Sequence, residues 1–503
     1  MYFYRIKYTD LGVLKTLYKQ TFIYGLATVI PRMLSFLLVR LHTDKSVLQN
    51  VSDYGDVSLI FAYFVLFNVV LAYGMETAFF RFFNKEPNKE SVLSTSSISL
   101  LLTSLVFLVL GFVFQHQIAA LTHIHVNYIV LVIWTLFLDA LVIIPFAYLR
   151  AQEKPVKYTA VKLTNVMVNL GLNIFLLVYL KALSVDNSIW ESIYIANFEV
   201  SYIFIANLLA SAVTLFILLP FYFKVTYKID TLLWKKMLRY ALPVLVAGVA
   251  FSVNETFDRV LLERLLPEEI AKTSIGMYSA CYKLALFMML FATAYRLGIE
   301  PFFFSHSKTK GAEKNYAQVL ELFVVFAAVI LVTVVVFIDF LKALLIPNEA
   351  YWEAMAVVPI LLLAYLFLGI YHNLSVWYKV TDRTKFGAYI SVFGALITLV
   401  INGIFIAQFN YMASAVATLA AYFTMTLMSY YFGKKYYPIP YNLKKIVLYI
   451  SLAILFSALS FYQFREEYLF GLGLIAVLLM IIWINEKSMI KQLLNKLGFL
   501  RRL

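Results

Sequence analysis

Apolar residues along this chain fall into long blocks, and the polar residues gather in short segments between them. Fourteen blocks reach the roughly 20 residues that a helix needs to cross a hydrocarbon core. They lie at residues 20–41, 55–78, 92–114, 126–149, 158–182, 200–223, 236–262, 274–300, 316–341, 355–378, 386–408, 411–433, 444–463 and 467–485. The pattern predicts an all-α integral membrane protein with about 14 transmembrane helices, numbered below as spans 1 to 14.

Basic residues stay on the cytoplasmic side during insertion, so their distribution sets the orientation. With the N-terminus inside, the cytoplasmic segments hold 31 of the 42 Lys and Arg residues, Lys162 counted among them, and the outer segments hold seven. A miscounted span would invert the bias downstream, and no inversion occurs. Both termini are therefore expected in the cytoplasm. Four basic residues remain, with Arg32, Lys283 and Arg296 inside spans and Arg259 near an outer helix end.

Composition adds limits. The chain has 503 residues, 62% hydrophobic and 14% charged, with a formal net charge of +14. Because that charge sits in loops, it speaks for membrane topology and against a nucleic-acid partner. One cysteine, Cys281, leaves neither a disulfide framework nor a thiolate metal site. The opening residues MYFYRIKYTDLGVLKTLYKQ show no cleavable signal peptide, so span 1 is expected to direct insertion. The longest outer segment, 181–200, is too short for a catalytic domain, and no enzyme is expected. His116, His123 and His125 surround a short outer loop, where no Cys or acid completes a zinc set, so a solvated loop is expected. The tail KSMIKQLLNKLGFLRRL sets apolar residues opposite lysines at helical spacing and predicts an amphipathic helix on the inner leaflet.

Two stretches share a pattern. YGMETAFFRFF at 73–83 ends span 2, and LGIEPFFF at 297–304 ends span 8, with Gly74, Glu76, Phe79 and Phe80 at the spacing of Gly298, Glu300, Phe303 and Phe304. Other echoes keep the same six-span offset: KQTFIYGL at 19–26 with KKMLRYAL at 235–242, Tyr54-Gly55 with the IGMY of 275–278, Glu153-Lys154 with Asp382-Arg383, Asn173 with Asn402, and SAVTL with SAVATL. Spans 1 to 6 and 7 to 12 therefore read as two parallel repeats of the kind found in transporters. The expected domains are a six-helix bundle at 1–228, a second at 229–438, and two further helices with a basic tail at 439–503.

Several segments carry a family likeness: TVIPRMLSFLLVRLHT at 28–43, YGMETAFFRFF, NETFDRVLLERLLP at 254–267, IGMYSACYKLA at 275–285 and EPFFFSH at 300–306. Over roughly residues 15–435 the chain resembles the polysaccharide flippases of the multidrug/oligosaccharidyl-lipid/polysaccharide exporter superfamily, above all bacterial lipopolysaccharide or O-antigen flippases. The resemblance implies movement of an undecaprenyl-diphosphate-linked oligosaccharide across the bacterial inner membrane by alternating access. It further implies Na+ or H+ as coupling ion, no other cofactor, and membrane lipids and other polysaccharide-assembly proteins as partners. One departure stands out: the related lipid II flippase has an Arg-Asp pair where this chain has Leu38 and Val39.

Ionisable side chains at bilayer depth are costly, ~2.5–3.5 kcal/mol at least, and usually face protein or a water-filled cavity. Arg32 lies about 20 Å along a helix from Lys19, near mid-membrane, and Lys283 is also central in its span. Pointing into one cavity, they would hold a diphosphate, the arginine by a forked contact and the lysine as a point charge; pairing with an acid is the structural alternative. Asn165, Asn169 and Asn173 recur every four residues along one face of span 5, suited to sugar hydroxyls or to bonds between helices. Glu76 and Arg81, with Arg296 and Glu300 four apart on span 8, are candidate cytoplasmic gate residues, and Arg259 an outer one; snorkelling helix ends are the alternative. Asn254, Glu255 and Asp258 form an oxygen-rich face of span 7, which with Asn402 and Asp139 is the candidate ion-coupling set; an Asp258–Arg259 salt bridge without an ion competes with it.

Competing functions make other demands. A drug exporter of the same superfamily favours an aromatic, weakly acidic cavity. A polytopic glycosyltransferase or polymerase needs a catalytic group on a sizeable outer loop, and a scaffold leaves the intramembrane charges without a use.

Overall fold

The computed structural model describes residues 30–496, apart from 32, 35, 187 and 307–310. Among the described residues the chain is helical, with no strand. Thirteen helices among the described residues are long and apolar enough to cross a membrane: Val51–Lys85, Lys89–Val113, Val126–Ala151, Pro155–Val185, Glu199–Lys224, Thr231–Leu265, Glu268–Glu300, Ala312–Val336, Glu349–Val380, Lys385–Phe409, Tyr411–Tyr436, Leu443–Gln463 and Tyr468–Lys487. They coincide with predicted spans 2 to 14. Span 1 falls largely outside the described residues, and its described part is helical up to His42. The last helix continues unbroken to Lys496, into the predicted tail, whose remaining residues lie outside the described set.

By contact the chain divides into two compact units. One comprises Met1–Ala280, Leu345–Met355 and Thr384–Ala421; the other comprises Cys281–Leu344, Ala356–Arg383 and Tyr422–Leu503. This grouping concerns contact, whereas the two predicted halves concern duplicated sequence.

In the first unit, local chemistry fixes where helices start and break. Asp230 caps span 7, its Oδ1 accepting from the backbone N–H groups of Leu232 and Leu233, each at 3.0 Å. The Asp230 N–H bonds to Thr95 Oγ1 at 3.1 Å, which ties that start to span 3. Span 2 breaks at Tyr73 and Gly74, both left-handed with φ of 32° and 74°. A Cβ on Gly74 would overlap the Ala241 carbonyl oxygen, so glycine serves both the turn and a close approach to span 7. The short helix Met75–Lys85 follows, with Met75, Ala78 and Phe79 fully buried and Phe79 stacked on Phe83 at 5.0 Å. Gly298, the sequence counterpart of Gly74, lies instead inside the continuous helix Glu268–His306 with open space around it.

A second glycine pair lets two helices approach closely. Added methyl groups on Gly55 and Gly276 would run into the Lys272 and Val51 carbonyl oxygens respectively, and a Cβ on Gly276 would stand 3.2 Å from the Gly55 nitrogen. Spans 2 and 8 thus cross backbone to backbone, as small residues allow in membranes. Beside the crossing, Lys272 pairs with Asp56 at 2.8 Å.

In the second unit, spans 13 and 14 pack on span 9. At one end Asp339, beyond the helix Ala312–Val336, receives Arg465 Nε at 3.1 Å on Oδ2 and Arg465 Nη2 at 3.1 Å on Oδ1, and also pairs with Lys342. Burial works to raise the Asp339 carboxyl, but the hydrogen bonds from Arg465 and Lys342 overcome it and hold the group below the ordinary carboxylate range. Close by, Tyr468 stacks on Phe337 with ring centroids 6.0 Å apart, and Gly471 leaves room for the Val336 side chain.

Candidate functional site

Span 7 presents its polar residues to the interior of the first unit. Asp258 and Arg259 are 3% and 7% exposed, low enough that their charges must answer each other. Arg259 Nη1 lies 2.8 Å from Asp258 Oδ1, and Tyr278 of span 8 donates its hydroxyl to Asp258 Oδ2 at 2.6 Å. The guanidinium also reaches Ser279 Oγ at 3.3 Å and the Glu255 carbonyl at 3.4 Å, and stacks 5.5 Å from the Tyr278 ring centroid. Arg259 lies in the last two turns of the helix Thr231–Leu265 as a buried partner of Asp258, so the pair expected as the alternative to an ion is the one formed here. In a low dielectric, a carboxylate next to a guanidinium is held far more strongly than at a helix end in water.

One turn earlier, Asn254 opens a chain of hydrogen bonds between spans 7, 11 and 12. Its Nδ2 donates to the Ser391 carbonyl at 3.2 Å, and its Oδ1 accepts from Thr398 Oγ1 at 2.9 Å. Asn402 Nδ2 donates to the Thr398 carbonyl at 2.8 Å, while Asn402 Oδ1 accepts from Ser414 Oγ at 2.8 Å. Asn254 and Asn402, chosen from sequence as partners, are thus joined through Thr398. Glu255 is half-buried beside them.

Spans 4, 5 and 6 make a separate polar seam. Ser211 donates to Asp139 Oδ1 at 2.7 Å. Lys162 corrects its assignment to a loop: it lies within span 5, its Nζ 4.5 Å from the Phe146 ring centroid and its charge felt by Asp139. Along the asparagine face, Asn165 donates to Thr214 Oγ1 at 2.9 Å. Asn173 donates to Asn169 Oδ1 at 2.8 Å, and Asn173 Oδ1 meets His42 Nε2 at 2.9 Å. These amides bond helices to one another.

At the other end of the first unit, Glu76 pairs with Arg150 of span 4, not with a residue of its own helix. Arg150 lies over the Phe80 ring at 4.8 Å, and Arg81 lies over Tyr240 at 4.4 Å. In the second unit Glu300 pairs with Lys379 at 2.6 Å. The four-residue spacing of Arg296 and Glu300 therefore yields no pair, because the lysine of span 10 reaches the carboxylate first. Arg296, Glu300, Phe303, His372, Asn373 and Lys379 line a small pocket. Lys283 is half-buried in the interior of the helix Glu268–His306. Arg32 lies outside the described residues.

The outer histidines divide. His125 accepts from the Asn127 N–H at 3.3 Å at a helix start, whereas His123 Nδ1 stands 2.6 Å from Glu263 Oε1, a carboxylate whose side chain is 2% exposed. His123 itself stays exposed in its turn while it meets the end of span 7. Among the described residues no group of His, Cys, Asp and Glu side chains could hold a metal ion. Arg150, Tyr278, Thr398, Ser414 and Lys379 went unseen in the sequence, each facing its partner from another helix.

Known proteins agree with this fold. A family profile described as "Polysaccharide biosynthesis protein" matches residues 17–306, more than half of the chain, and the MatE profile matches residues 243–404. No curated protein matches the chain. Among solved structures, the lipid II flippase MurJ in an inward closed conformation superposes with a TM-score of 0.74 at 16% identity, over 93% of this chain and 100% of that one. An inward-facing multidrug resistance MATE family transporter gives 0.64 at 11% identity, over 81% and 97%. A MOP superfamily transporter from Pyrococcus furiosus gives 0.60 at 12%, over 83% and 95%. The helical membrane fold and the profile covering spans 1 to 8 lead to one assignment: the chain belongs to the polysaccharide biosynthesis protein family.

Proposed function

We propose that this protein is a flippase that moves an undecaprenyl-diphosphate-linked oligosaccharide, a precursor of lipopolysaccharide O-antigen or capsule, across the bacterial inner membrane by alternating access. The observation that carries the reading is the family match over residues 17–306. Two cationic residues that the sequence places within spans, Arg32 and Lys283, support it. A diphosphate headgroup bears charge that hydrocarbon does not tolerate, and Arg32 and Lys283 suit it by a forked contact and a point charge. Asn165, Asn169 and Asn173 are the proposed sugar-side residues, which requires their bonds between helices to open in another conformation. Glu76, Arg81, Arg296, Glu300 and Arg259 are proposed to act in gating, with Arg150 and Lys379 as the partners that must let go.

Ion coupling belongs to the same proposal. Asn254, Glu255, Asp258, Asn402 and Asp139 would take Na+ or H+, and Arg259 would have to release Asp258 when the ion enters. Both termini are proposed to face the cytoplasm. The decisive experiment reconstitutes the full chain in vesicles with a defined lipid-linked oligosaccharide and reads leaflet accessibility. Arg32→Ala and Lys283→Ala should each reduce translocation at least tenfold while protein levels stay normal; full activity in both would remove the diphosphate clamp. A second reading, a cation-coupled drug exporter, draws on the MatE match at residues 243–404. Efflux of cationic dyes by the same vesicles, without translocation of the glycolipid, would establish it.

A further inference from the structure

In the second unit, the small pocket between spans 8 and 10 is lined from two helices. Arg296, Ile299, Glu300 and Phe303 form one wall, at the i, i+3, i+4 and i+7 spacing of a single helix face. His372 and Lys379 of span 10 line the other. Glu300 and Lys379 stand at or next to the last residues of the apolar segments Glu268–Glu300 and Glu349–Val380. The pocket therefore lies at the depth of lipid headgroups and not of acyl chains.

Its charges do not balance. Lys379 Nζ meets Glu300 Oε1 at 2.6 Å, which occupies the one carboxylate of the lining. Among the described residues Arg296 makes no ion pair or hydrogen bond and the His372 ring makes no hydrogen bond, although the charges of Arg296 and Lys379 both act on that ring. A guanidinium carries five N–H donors and no acceptor, so Arg296 brings to the pocket a positive charge and a fork that no described side chain holds. One fork, one ammonium shared with a carboxylate and one imidazole thus face the same small space. The set suits a tetrahedral oxyanion: the fork takes two oxygens of a phosphoryl group, and Lys379 and His372 remain for the third. Both cations sit on long, flexible stems, so the pocket widens by rotamer changes without moving a helix.

We propose that this pocket binds the phosphoryl group of a lipid headgroup, held by Arg296 and Lys379 with His372 as a third donor. The incoming anion competes with Glu300 for Lys379, so binding parts the pair. Parting of the pair as a gating step rests on the flippase reading; phosphoryl binding does not.

The test titrates inorganic pyrophosphate into the full chain in detergent, followed by calorimetry. The parent protein carries Arg32→Ala and Lys283→Ala, so that the diphosphate clamp proposed above contributes nothing and its failure is read separately. Pyrophosphate should bind the parent, and Arg296→Gln and Lys379→Gln should each weaken binding about tenfold, as loss of a charge-assisted hydrogen bond does. Glu300→Gln releases Lys379 and should tighten binding, a gain that damage to the fold does not produce. Undecaprenyl diphosphate or phosphatidylglycerol added to the detergent should displace the pyrophosphate, and the lipid that does so names the headgroup. No binding to the parent, equal affinity in Arg296→Gln, or weaker binding in Glu300→Gln overturns the site; displacement by neither lipid leaves free phosphate as the ligand and overturns the lipid source. Should Arg296→Gln fail to fold, Glu300→Gln decides.

Discussion

Replacing Asp258 with alanine tests whether the buried charges of span 7 hold each other. The change removes the carboxylate 2.8 Å from Arg259 Nη1 and the acceptor 2.6 Å from the Tyr278 hydroxyl. Arg259 keeps Ser279, the Glu255 carbonyl and the Tyr278 ring but loses the Asp258 carboxylate at 7% exposure. Breaking a buried pair from one side costs about 3–5 kcal/mol, most of it from the charge left behind. Replacing both members with apolar residues of similar volume is often neutral, so Asp258→Ala with Arg259→Met should recover much of the loss. The two singles and the double complete a cycle whose coupling should reach about 2–3 kcal/mol. Denaturant unfolding in detergent, followed by helical circular dichroism, reads all four proteins. A single variant within about 1 kcal/mol of wild type, or a double variant no more stable than Asp258→Ala, would show that Arg259 is solvated and that the pair does not hold the helices.

Three further outcomes follow from other parts of the molecule. Asp258→Asn should abolish the ion-gradient dependence of transport in vesicles if span 7 couples the ion, and an unchanged dependence assigns Asp258 to structure. Asp339 should stabilise the fold above about pH 3.9, the unfolded value for aspartate, and lose that effect as pH falls through its lower folded value; Asp339→Asn should therefore flatten the acid limb of a stability profile, and a parallel limb refutes the pairing. Gly55→Ala should cost about 1–3 kcal/mol, because the added methyl meets a backbone oxygen that cannot rotate away; a neutral result in a thermal melt would show that spans 2 and 8 have slack.

Hydrophobic block length was enough to find all thirteen spans from Val51 onward, because burying a helix in hydrocarbon leaves a one-dimensional record. Partners across helices leave no such record. Glu76 finds Arg150 and Glu300 finds Lys379, pairs between different spans that no local spacing encodes. Local spacing misled at Arg296 and Glu300, since the i,i+4 rule describes an isolated helix and Lys379 competes from outside. Lys162 misled for a related reason: a lysine near a predicted helix end was counted as solvated, and the fold places it over Phe146. The asparagine face of span 5 was legible as a face, but only the fold shows Thr214 and His42 waiting opposite it.

The meeting of Gly55 with Gly276 bears on how the molecule tolerates change. Each glycine faces a carbonyl oxygen of the opposing helix, that of Lys272 for Gly55 and that of Val51 for Gly276, so main-chain atoms set the separation of the two helices and no side-chain rotation can relax it. A larger residue at either place has to displace a whole helix, which leaves no intermediate between glycine and a shifted crossing.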